Sequence, residues 1–82
     1  MNFDERVRDE LTAARQSFAE INSVHEGLAV ILEEVREFET QVFTKPEHRD
    51  PEKMLRELVQ IAAMCQRTAE DCRLLSKAVR MQ

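Results

Sequence analysis

Apolar residues recur at steps of three and four along nearly the whole chain, and that period dictates helices. Phe3, Val7, Leu11, Ala14, Phe18 and Ile21 form one series. Val24, Leu28, Ile31, Leu32, Val35, Phe38 and Val42 form a second. Met54, Leu58, Ile61, Ala62, Cys65, Ala69, Cys72, Leu75 and Val79 form a third. Such steps keep side chains on one face of a helix, whereas a half-buried strand alternates strictly. With one Gly, two Pro and no Trp or Tyr in 82 residues, the expected fold is all-α.

Local signals divide the chain into three helices, at about residues 3–21, 24–43 and 51–79. Asn2 with Glu5, and Ser23 with Glu26, have the spacing of capping boxes. Asp50 is a good N-cap, and Pro51 suits the first helical position. Pro46 ends the second helix, leaving Thr44 to Asp50 as the one clear loop. Gly27 falls in the first turn of the second helix, where it costs little and permits close helix packing. The third helix is long for a globular domain. Beyond Ala69 it has no partner within the hairpin and needs the first helix or a second subunit.

A chain this short is one domain, 1–82, and a single core of this size is marginal. The expected architecture is a helical hairpin plus an N-terminal helix, a bundle completed by a homodimer or homotetramer. Cys65 and Cys72 are seven apart on one helix, about 10 Å along its axis, beyond the reach of a disulfide. They read as buried thiols on the apolar stripe, in a reducing, cytoplasmic setting. No apolar run is long enough to span a membrane. Twelve basic and sixteen acidic residues give a net charge of −4, which argues against a nucleic-acid partner.

The acids of the second and third helices are not scattered evenly. On a helical wheel, Glu34 and Glu37 lie to one side of the second helix's stripe, in company with Val30 and Gln41. Glu57 and Gln60 lie to one side of the third helix's stripe, in company with Met64. Counted from the two ends of the loop, Glu37 is level with Glu57, Glu34 with Gln60, and Val30 with Met64. Carboxylates facing each other from two helices are how helical bundles hold hard cations, and Mg²⁺ or Mn²⁺ is the natural compensator of such a cluster. A solvated acidic face is the plainer alternative on spacing alone.

Glu34-x-x-Glu37, nineteen residues, then Glu57-x-x-Gln60 resembles the motif of the MazG-like all-α nucleoside triphosphate pyrophosphohydrolases. That motif is Glu-x-x-Glu, a spacer, then Glu-x-x-Asp, often with a further acid where Glu33 stands. The resemblance covers roughly Ser23 to Asp71. It implies Mg²⁺ held by Glu34, Glu37, Glu57 and Gln60, with Glu33 as the base for an attacking water. The implied reaction splits a nucleoside or deoxynucleoside triphosphate into a monophosphate and pyrophosphate. Lys53 and Arg67 share the face of the acids and are candidate phosphate contacts, or else solvated charges. Met64 either packs or lines the site. Gln60 departs from the family's Asp and brings no charge, so a weakened relative is expected as readily as a full enzyme. The competing expectation is a non-catalytic helical module for assembly or protein interaction.

Overall fold

The computed structural model describes residues 1–80, with side chains described to Ala78. Its elements are α1 (Phe3–Ser17), α2 (Val24–Val42), a turn of 3₁₀ helix (Pro46–His48), α3 (Pro51–Asp71) and α4 (Leu74–Arg80). No strand occurs among the described residues, so the all-α expectation holds. Val79, assigned to the third apolar stripe, lies outside the described side chains.

The expected start signals act as caps. The Asn2 side chain accepts from the Glu5 N–H at 2.9 Å, and the Glu5 carboxylate accepts from the Asn2 N–H at 3.5 Å. Ser23 Oγ accepts from the Glu26 N–H at 3.1 Å, while Glu26 reaches back one residue further, to the Asn22 N–H. Asp50 accepts from the Glu52 and Lys53 N–H groups ahead of Pro51.

α3 is the central element. α2 runs antiparallel to it across the short loop, α1 packs on its other flank, and the backbones of α1 and α2 stay apart. The core joins Val7, Leu11 and Ala14 of α1 to Val59, Ala63 and Met64 of α3, with Val30 and Ile31 of α2 packed against them. Ion pairs at both ends hold α1 to α3. Arg6 meets Glu52 at 2.6 Å, and Arg15 meets both Glu70 and Asp71 at 2.7 Å.

Two helix ends differ from the sequence expectation. α1 stops at Ser17, not Ile21, because side chains of α3 capture the chain that follows. The buried Asp71 carboxylate accepts from the Ile21 N–H at 3.0 Å, and Arg67 donates to the Ala19 carbonyl. Ile21 plugs this end, only 2% exposed. The third helix breaks after Asp71, where α1 no longer accompanies it. Arg73 takes φ of 57°, a left-handed conformation that side-chain-bearing residues seldom adopt. Nothing local in Cys72-Arg73-Leu74 announces that break.

The apolar stripes also sort differently from expectation. Val24, Leu28 and Leu32 of α2 are 48%, 55% and 40% exposed, and Leu58 of α3 is 40% exposed. Cys65 is exposed and Cys72 half-buried, so the buried thiols expected there are not found. The physical reason is which flank α1 covers. These residues lie roughly 100° around their helices from the α2–α3 contact, on the side away from α1, and no element of the described chain covers them.

Close approach at the α2–α3 contact depends on Gly27. A Cβ at this position would overlap the side chain of Thr68. Thr68 is itself buried and fixed, its hydroxyl donating to the Met64 carbonyl at 2.8 Å. Gly27→Ala is therefore expected to cost about 1–3 kcal/mol by overpacking. Thermal or urea unfolding measures it, and Thr68→Ala in the same chain is expected to recover much of the loss.

Candidate metal centre

α2 and α3 meet in the register expected from the loop. Glu34, Glu37 and Glu57 each offer a carboxylate oxygen, and these three oxygens lie within 4.8 Å of one another. Gln60 completes the group. With its amide nitrogen turned inward, it donates to Glu34 Oε2 at 2.9 Å and Glu57 Oε2 at 3.1 Å. With the amide turned the other way, the same atom position presents a fourth oxygen to the carboxylates.

Each position has a local cause. Glu34 and Glu37 are one turn apart on α2, and Glu57 and Gln60 are one turn apart on α3. Gly27 and Thr68 bring the helices close enough for the two pairs to converge. Glu57 is buried, 7% exposed, which is unusual for a carboxylate.

The electrostatics reflect this crowding. Burial first, then the negative charge and shared hydrogen bond of Glu37, then the charges of Glu57 and Glu33, raise the Glu34 carboxyl from 4.5 to about 7. Glu57 is also raised, by burial and then by its hydrogen bond with Glu37 and that group's charge; the nearby positive charges of Lys53 and Arg56 oppose the rise. The raised Glu34 carboxyl takes up a proton more readily than an isolated one, which eases the repulsion within the cluster. The donor set of three carboxylates and an amide is all oxygen, as Mg²⁺ and Mn²⁺ prefer. Octahedral coordination at about 2.1 Å places ligand oxygens roughly 3–4 Å apart, so the observed spread needs only small side-chain adjustments.

The Glu34 and Gln60 side of the cluster opens into a cleft of about 390 Å³ between α1 and α2, floored by α3, whereas Glu37 and Glu57 lie outside its lining. Glu33, Glu34, Gln60, Met64 and Arg67 line it, as the shared face of the acids suggests. Glu33 is exposed at its wall, and Met64 is both core and lining. Lys53 is exposed and lies outside the lining, close enough to act on Glu57 by charge alone. Arg67 is buried, and its donors go to the Ala19 carbonyl and, at 3.8 Å, to Met64 Sδ. Its Nε lies 3.8 Å from Asp71. That makes it a part of the helix-end scaffold at the cleft wall, neither a solvated charge nor a free phosphate contact. His25 and His48 are exposed and distant from the cluster.

Sequence reasoning missed the contribution of α1. Glu10, Ala14 and Phe18 line the cleft at successive turns. Their i, i+4, i+8 spacing was the available signal, but Phe18 reads as part of a core stripe, and it is 68% exposed.

Comparison with protein-family models, with curated proteins and with solved structures returns no match.

The raised carboxyls give a signed pH dependence. Between about pH 4.5 and 7 the folded, metal-free chain holds more protons at this cluster than the unfolded chain. Stability from this group is therefore full below that window and falls as pH rises through it. A divalent cation competes with the same proton. Mg²⁺ or Mn²⁺ is expected to raise the melting temperature more above about pH 7 than below about pH 5, and Glu37→Gln to abolish that rise. Thermal scans across pH with and without the cation read both effects.

Proposed function

We propose that this protein is a Mg²⁺-dependent nucleotide pyrophosphohydrolase of MazG-like type, or a weakened relative of one. One observation carries the proposal. Glu34, Glu37 and Glu57, from two facing helices, offer oxygens within 4.8 Å of one another, and Glu34 of this group also lines a cleft of about 390 Å³. That volume lies within the usual range for small-ligand sites. The Glu-x-x-Glu and Glu-x-x-Gln pattern supports the same reading.

Each side chain has a distinct role. Glu34, Glu37 and Glu57 would hold the cation, and Gln60 would turn its amide oxygen inward as a neutral fourth ligand. A bound Mg²⁺ supplies charge neutralisation at the phosphates, their orientation, and a more acidic water. Glu33, at the cleft wall, accepts the proton of the attacking water. Val30 and Met64 give the cleft its apolar lining. The substrate is a nucleoside or deoxynucleoside triphosphate, released as a monophosphate and pyrophosphate.

The uncovered apolar side of the hairpin supports assembly. Val24, Leu28, Leu32 and Leu58 together form an exposed stripe that a second copy of the same hairpin would bury. A homodimer, or a tetramer of two such dimers, follows. The same stripe favours a second reading, in which the chain is a non-catalytic assembly module and the acids are vestigial. Sedimentation of the purified protein tests the assembly shared by both readings, and a lone 9.6 kDa species contradicts it.

Turnover separates the two. Incubation with a panel of NTPs and dNTPs in Mg²⁺, scored for pyrophosphate, is expected to give product. Glu57→Gln is expected to reduce it at least about 100-fold, beyond the loss typical of outer-shell partners of a metal. Gln60→Asp is expected to raise it. No pyrophosphate from any nucleotide, with wild type or with Gln60→Asp, removes the enzyme proposal and leaves the assembly module.

A further inference from the structure

The cleft continues past the acid cluster, and its far end is built differently. Gln60 and Arg67 both line it and are seven residues apart on α3, so the floor runs about 10 Å along the helix. At the far end stands Phe18, the residue at which α1 stops. Its backbone is extended, with φ −131° and ψ 150°, and its N–H still donates to the Ala14 carbonyl. The ring is thus carried off the helix and toward the cleft, 68% exposed.

The ring is also held in place. The Arg67 guanidinium carbon lies 5.7 Å from its centroid, within the range of cation–π attraction. Arg67 is itself fixed by the Ala19 carbonyl and lies beside Asp71. Val30 and Met64 give the cleft apolar walls between this ring and the acids. A positioned aromatic face lies at one end of a short channel, with cation ligands at the other.

We propose that Phe18 is the stacking platform for the base of a nucleotide whose phosphates lie at the acid cluster. This rests on the function proposed above and assigns a residue to it. The roughly 10 Å of α3 floor between Gln60 and Arg67 leaves length for a nucleotide with its base toward Phe18 and its phosphates toward the acids. Every base has a π-face, so a lone phenyl ring with no hydrogen-bonding group gives affinity without choosing among bases.

The chain has no tryptophan, so Phe18→Trp creates a single fluorophore at the platform. The exposed position tolerates the larger ring. A nucleoside triphosphate with Mg²⁺ is expected to quench its emission, and inorganic tripolyphosphate with Mg²⁺ is not. By calorimetry, Phe18→Leu is expected to weaken nucleotide binding about tenfold and leave tripolyphosphate binding unchanged. If wild type binds both ligands but Phe18→Trp is not quenched and Phe18→Leu binds as wild type, the platform is overturned and the proposed function stands. If wild type binds neither ligand with Mg²⁺, the proposed function fails, and the platform with it.

Discussion

Gly27 lets α2 settle against Thr68 of α3, and that approach sets how closely the two helices of the hairpin run. Two turns and more further along, the register set by the loop brings Glu34 beside Gln60 and Glu37 beside Glu57. α1 packs on α3 with its backbone apart from that of α2, and the cleft lies between them. A glycine early in α2 thus governs a cluster of charges two turns away. A side chain there would push the helices apart where the carboxylates most need them together.

That convergence opposes folding. Like charges on half-buried side chains repel, and burial removes the water that would screen them. Two agents relieve the strain in the same place, a proton or a divalent cation. The Gln60 amide nitrogen satisfies the carboxylates as they stand, and its oxygen would be available to the proposed cation. An aspartate at this position would add a fourth charge to a cluster that already holds a proton near neutrality. Gln60 spares the cluster that further charge.

Much of this was legible in the sequence, and what was not has a common cause. Asn2, Ser23 and Asp50 announce helix starts because caps are local contacts. The convergence of Glu34, Glu37, Glu57 and Gln60 was legible because two helices joined by one short loop have little freedom of register. The end of α1 was not, because Asp71 and Arg67, some 50 residues away, take over the backbone groups that another helical turn would have used. The break at Arg73 was not, because no glycine or proline marks it. The stripe of Val24, Leu28 and Leu32 is apolar and helical as read, but periodicity cannot say which of two flanks a third helix will cover. Phe18 was hidden for a similar reason, since an aromatic on the apolar period reads as core until the helix stops beneath it.

The proposed cation between α2 and α3 is tested most directly by a crystal grown in Mn²⁺. The expected result is an anomalous peak among Glu34, Glu37 and Glu57, about 2–2.5 Å from an oxygen of each, with the Gln60 oxygen turned toward it. An ordered cluster with no peak, its carboxyls still paired through a proton at neutral pH, would contradict the account.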